Sequence, residues 1–261
     1  MSKKRLIPKL QLRSSSYDPN RMVLVITKQF DQVIEIGDAV SQAKIYQDQA
    51  ADELIFINID KKEKNIEKLS RIIHKVSEEI FMPITVGGGV TTEEHFRILL
   101  ANGADKISIN TIAVNDPSFI TLTSRKYGAQ CVVVSIDFKK DETGEYRVYI
   151  NGGTEKTDWH PVDWAVEAEK RGAGEILLAS IEQDGMRQGL DIDIIRKVSE
   201  AVSIPVIASA GCGLAKHFID GFLEGKADAV AAGTFFALQD QNFMQTRSHI
   251  KNAGVSIRVH T

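Results

Sequence analysis

The sequence predicts an α/β fold, a (β/α)8 TIM barrel built from two duplicated half-barrels, and three observations lead there. Four short segments recur in the same order in the second half of the chain, each is almost continuously apolar, and helical patterns separate them. Unbroken apolar runs of this length suit strands of a parallel sheet covered on both faces. Strict alternation of strand and helix implies right-handed crossovers. Eight such units make a closed barrel of roughly 250 residues. The chain has 261, so residues 1–261 are read as a single barrel domain.

The repeat aligns residue by residue. Arg5–Arg13 corresponds to Cys131–Lys139, which sets Gln11 against Asp137 and Arg13 against Lys139. Asp52–Ile59 corresponds to Gly174–Ile181, with Glu53 on Glu175. Pro83–Gly89 matches Pro205–Gly211, and Ala104–Thr111 matches Ala227–Thr234. Order and spacing are both kept, as in duplication of a four-strand unit. Between the strands, Ile66, Leu69, Ile72, Ile73, Val76 and Ile80 recur at helical steps, as do Ile194, Ile195, Val198 and Val202. An open doubly wound sheet also alternates strand and helix. It does not explain two matched halves.

Composition narrows the class. With 43% hydrophobic and 26% charged residues the chain is ordinary for a globular domain. A net charge of −3 offers nucleic acid no electrostatic footing. No apolar run is long enough to span a bilayer, and Met1–Arg5 leads straight into a strand, so a cytoplasmic location and no membrane partner are expected. Cys131 and Cys212 are the only cysteines and are read as structural, not as a disulfide framework or nucleophiles. His74, His95, His160, His217, His249 and His260 lack metal-ligand spacing; no metal and no cofactor are expected.

Active sites of such barrels lie at the carboxyl ends of the strands. Asp137 ends an otherwise apolar strand there, as an acid/base group would; the structural alternative is a turn cap or a pair with Lys139. Gly87-Gly88-Gly89, Asn110-Thr111, Ser209–Gly213 and Gly233-Thr234 follow four other strands, at positions matched between the halves. Small residues let backbone N–H groups approach an anion, which points to a long substrate with a phosphate at each end; tight turn geometry alone is the alternative. At the opposite rim Arg5, Glu53, Lys106 and Glu175 stand at strand starts, where ion pairs would close the floor. Asp141–Gly153 is a polar insertion whose Tyr146–Ile150 alternates like one arm of a hairpin over the active face.

The run of Asp52-Glu-Leu, Thr85–Gly89, Gly103–Thr111, Val132–Asp137 and Lys170–Leu178 resembles the cyclase subunit of imidazole glycerol phosphate synthase, the HisF family. The likeness extends through nearly the whole chain. It implies a lyase-type synthase, working as a heterodimer with a HisH-like glutaminase docked on the amino-terminal face. Ammonia would pass a charged gate formed by Arg5, Glu53, Lys106 and Glu175 to reach a phosphorylated substrate held by Gly88, Gly89, Asn110, Thr111, Asp184, Gly185, Ser209, Gly211, Gly233 and Thr234.

The family works with two catalytic aspartates. Asp137 matches one; Gln11 stands at the other, and an amide cannot exchange a proton near neutral pH. Asn58, Ala179 and Met186 also depart from the family's usual Asp, Thr and Thr, and Arg13–Arg21 replaces a shorter stretch. That pattern, with Lys9–Arg13 and Gly37–Tyr46, resembles HisF paralogues associated with surface-polysaccharide genes, which implies ammonia delivery for acetamidino sugars. Genuine cyclase activity in histidine biosynthesis and a non-catalytic, glutaminase-activating scaffold are the alternatives. The sister sugar-phosphate isomerase needs both carboxylates, which counts against it.

Overall fold

A computed structural model describes residues 3–61, 64–238 and 242–259. His260 lies outside them. Eight strands run parallel around the barrel: β1 (Arg5–Ser14), β4 (Leu54–Asn58), β5 (Ile84–Gly87), β6 (Lys106–Ile109), β7 (Val132–Lys140), β10 (Glu175–Ser180), β11 (Val206–Ser209) and β12 (Ala229–Ala232). β12 pairs with β1 from Arg5↔Ala229 to Pro8↔Ala232, and this closes the sheet on itself. The predicted TIM barrel is the fold observed.

Helices follow the strands, and their apolar stripes explain why they pack outside. In α2 (Ile66–Ser77) the residues Ile66, Leu69, Ile73 and Val76 are buried, and in α7 (Ile192–Ala201) so are Ile194, Ile195 and Val198. Capping defines the starts: Asn65 accepts from Lys68 N, and Thr92 accepts from His95 N at α3 (Glu93–Ala101). The duplication is visible in hydrogen bonds as well. Asp105 accepts from Ile84 N at 2.8 Å, and its counterpart Asp228 accepts from Val206 N at 3.1 Å.

Two cores result. One fills the space between sheet and helices; the other is the barrel axis, where Ile7, Ile55, Val133, Leu177, Ile207, Ala229 and Ala231 meet. Inward-pointing residues alternate along each strand. Along β1 these are Arg5, Ile7, Lys9 and Gln11, so the axis passes from charged floor through an aliphatic layer to a polar mouth.

Each half also carries a hairpin at the same place. β1 continues past the barrel to pair antiparallel with β2 (Met22–Lys28), which pairs with β3 (Gln32–Gly37). β7 likewise continues to β8 (Tyr146–Ile150), which pairs with β9 (Glu155–Lys156). The second hairpin contains the predicted arm. The first is absent from the sequence reading, which treats Arg13–Arg21 only as a replaced loop.

Leu177 is 1% exposed in the axial layer. Leu177→Ala should destabilise the fold by about 2–5 kcal/mol, read as a lowered midpoint in urea unfolding with an unchanged slope.

Candidate active site

At the amino-terminal end, four charges form a closed ring. Arg5 donates to Glu53 Oε1 and to Glu175 Oε1, both at 2.5 Å, and Lys106 Nζ donates to Glu53 Oε2 at 3.0 Å and Glu175 Oε2 at 2.9 Å. Each carboxylate thus serves both cations with a different oxygen. Burial opposes ionisation of Arg5, yet the two carboxylates overcome it and hold the guanidinium pKa above its usual range. Burial likewise opposes the charge on Glu53, and Arg5 and Lys106 overcome it and hold the carboxyl below its ordinary pKa. The ring seals the floor beneath the aliphatic layer.

At the opposite end, Asp137 sits at the rim of the mouth. Asn110 Nδ2 donates to its Oδ2 at 3.3 Å, and the Ser135 hydroxyl donates to Oδ1 at 3.4 Å. Burial pushes its pKa up to about 6, against the opposing pull of Lys9 and Lys64. That value suits a group that both gives and takes a proton near neutrality. The structural alternative of a pair with Lys139 is not what forms: Lys139 Nζ lies 4.5 Å from the Tyr149 ring centroid.

Gln11 lines a cleft of the same mouth, one whose lining does not include Asp137. The Thr27 hydroxyl lies 3.0 Å from Gln11 Oε1 and 2.5 Å from Asp184 Oδ2, and one hydroxyl proton cannot serve both acceptors at once. Asp184 is itself pushed above the usual carboxylate range by burial, with Lys9 and the Thr27 bond opposing. Lys9, Gln11, Asp184, Gly185, Ser209, Gly211, Gly233 and Thr234 all line this cleft. Sequence reasoning anticipates most of them but misses Lys9, whose charge within an apolar strand marks nothing by itself. Lys64 is a second omission; burial lowers its pKa, while Asp137 and Asp60 act the other way.

The remaining predicted contacts, Gly88, Gly89, Asn110 and Thr111, follow β5 and β6. Here backbone geometry has its own claim on glycine. Gly88 has φ +90°, and a β-carbon there would stand 2.1 Å from the Asn58 carbonyl oxygen. Its repeat counterpart, Ala210, also adopts positive φ. Thr111 Oγ1 accepts from Asn151 N at 3.1 Å, tying down the turn after β8.

Both hairpins reach over the mouth. Gln29 N donates to the Asp184 carbonyl at 2.9 Å, and a β-carbon on Gly185 would lie 2.2 Å from the Thr27 carbonyl oxygen. Phe30 packs against Gly153, beyond β8, and its ring centroid is 5.8 Å from Lys9 Nζ. Asp184 and Gly185 therefore position the first hairpin besides lining the cleft.

Cys212 is buried and burial pushes its thiol pKa well up, while Cys131 is half-buried with its pKa also raised by burial, first, and by Asp105. Neither environment favours a thiolate. Among the described residues no group of three or more His, Cys, Asp or Glu side chains is arranged to hold a metal ion, and no helix is long and apolar enough to cross a membrane. His160 and His217 serve helix starts, where they accept from Val162 N and Gly213 N.

Residues 7–241 match the histidine biosynthesis protein family. A Prochlorococcus marinus protein carrying the subunit name hisF2 is 50% identical over 260 residues, covering 99% of each chain. The imidazole glycerol phosphate synthase subunits HisF of Geobacillus kaustophilus and Anoxybacillus flavithermus are 43% and 42% identical over 259 residues, covering 99% of this chain and 100% of theirs.

Glu53→Ala should cost about 3–5 kcal/mol, because it strands Arg5 and Lys106 with half their partners in a buried ring; a loss under about 1 kcal/mol in chemical unfolding would show the four charges to be uncoupled. Asp137 has a folded pKa of about 6 against an ordinary 3.8. The folded state therefore binds the proton more tightly, and the stabilisation this gives is complete below pH 3.8 and lost as pH rises through 6. Relative to Asp137→Asn, the wild type should lose about 3 kcal/mol between those limits, with carboxyl NMR reporting the same midpoint.

Proposed function

The chain belongs to the HisF family of imidazole glycerol phosphate synthase subunits, and from that premise we propose that it takes ammonia from a HisH-like glutaminase and adds it to a phosphorylated, sugar-type acceptor, in sugar amidination for surface polysaccharide. The single observation that carries the choice of acceptor is Gln11. It is hydrogen-bonded within the cleft yet has no titratable proton, while the ring of Arg5, Glu53, Lys106 and Glu175 is complete.

In this reading the glutaminase docks on the amino-terminal face, and the ring with the aliphatic layer above it forms the ammonia route. The glycine-containing loops after β5, β11 and β12 hold the acceptor's phosphate. Asp137 protonates the acceptor or accepts the proton released when the new carbon–nitrogen bond forms. Gln11 orients without exchanging protons. Residues 1–261 act as one barrel domain.

A second reading has its own support. Relatives 42–43% identical over essentially their whole length carry the HisF name without qualification, which favours the cyclase reaction of histidine biosynthesis. There Asp184, which competes with Gln11 for the Thr27 hydroxyl proton, would take over as second acid.

Assay with the ribonucleotide bisphosphate substrate of the classical reaction and ammonium at high pH separates the two. Amidination predicts turnover roughly 10²–10⁴-fold below a genuine cyclase, the factor typical for loss of one acid/base group. Turnover at the level of a genuine cyclase would sink that reading and establish the classical one.

A further inference from the structure

Lys9 carries chemistry that the reading above leaves unused. Its side chain projects from β1 into the mouth of the barrel and is only 8% exposed. Among the described residues Nζ has one polar contact, 3.4 Å from Ser209 Oγ. An ammonium has three donors and is strongly hydrated in water. Covering it with one long hydrogen bond is unfavourable unless an anion completes its surroundings. Asp137 and Asp184 both feel its charge, yet neither reaches it as an ion pair. The Phe30 ring covers the ammonium from the hairpin side.

The duplication supplies an internal comparison. Lys9 and Gln11 occupy the addresses of Ser135 and Asp137 in the second half. The second half sets a hydroxyl beside a carboxyl, 3.4 Å apart. In the first half an ammonium replaces the hydroxyl and an amide replaces the carboxyl. The same two places have become two charges more positive. They open onto the cleft bounded by Ser209, Gly211, Gly233 and Thr234, where small residues leave backbone accessible.

We propose that Lys9, with Ser209, binds a phosphoryl group of the acceptor at the centre of the carboxyl-terminal face. The first half of the mouth then anchors the anion, and the second half, through Asp137, handles the proton. This rests on the reading that the acceptor is phosphorylated, and not on which phosphorylated acceptor it is.

Titration calorimetry of the full chain with inorganic phosphate tests the site without acceptor or glutaminase. The wild type should bind phosphate, and Lys9→Met should weaken binding by about 30-fold or more, as truncation of a buried charge pair does. Lys9→Gln, which keeps length and a donor but not the charge, should lose binding in the same way. Lys44→Met removes a lysine paired with Glu79 on the outer surface and should bind as the wild type does. Melting curves give a second readout. Phosphate should raise the melting temperature of the wild type and not of Lys9→Met, and without phosphate Lys9→Met should melt no lower than the wild type. No phosphate binding by the wild type, equal binding by either Lys9 variant, or a Lys9→Met protein that melts lower with its phosphate response intact each overturns the proposal. Because the probe is phosphate alone, an error in the acceptor's identity would alter the turnover assay and leave these results as they are.

Discussion

A closed parallel barrel must fill its own axis, and every other feature of this molecule is arranged around how that is done. Inward-pointing residues arrive at fixed heights because side chains alternate along each strand. The lowest height is ionic, the middle one aliphatic, and the highest polar. Each layer limits the next. The ion ring satisfies its own charges completely, so the aliphatic layer needs no polar partner below. That layer separates the floor from the mouth, where Lys9 and Asp184 act on Asp137 and Lys9 acts on Asp184.

At the mouth, competition between burial and charge decides what Asp137 can do. Burial raises its pKa, and Lys9 and Lys64 moderate the rise. Without those cations burial would raise the pKa further; fully exposed, the carboxyl would be ionised throughout the physiological range. The hairpins reach over the same mouth, and β8 pairs with β7 at Asp137 itself. They are fastened from opposite sides, one through Asp184 and one through Thr111, and meet where Phe30 touches Gly153.

The strands were legible in sequence because buried parallel strands are continuous apolar runs and the duplication shows each of them twice. The same doubling made Glu53 and Glu175 stand out as charges at matched addresses, and Asp137 as a charge set against Gln11. The first hairpin escaped for equally physical reasons. Met22–Lys28 is buried almost throughout and so lacks alternation, while Gln32–Gly37 is mostly exposed and lacks an apolar face. Its turn places Gln29 and Phe30 at positive φ, where Gly, Asn or Asp would have announced it. Lys9 was hidden because its significance is a matter of partners: only three dimensions show a buried ammonium with one polar contact among the described residues. The glycines were ambiguous in sequence and stay double in meaning, since Gly88 is required by the Asn58 backbone whatever it binds.

The floor carries one further implication, about which halves can pair. Both of its cations, Arg5 and Lys106, come from the first half, where the second has Cys131 and Ala229; each half supplies one glutamate. A barrel made of two first halves would gather four cations and two carboxylates at one buried level. Two second halves would gather two carboxylates and no cation. Only unlike halves give a neutral ring, and buried uncompensated charge is penalised heavily. The floor therefore carries a self-avoidance rule: its charges favour the pairing of unlike halves over the pairing of either half with its own copy.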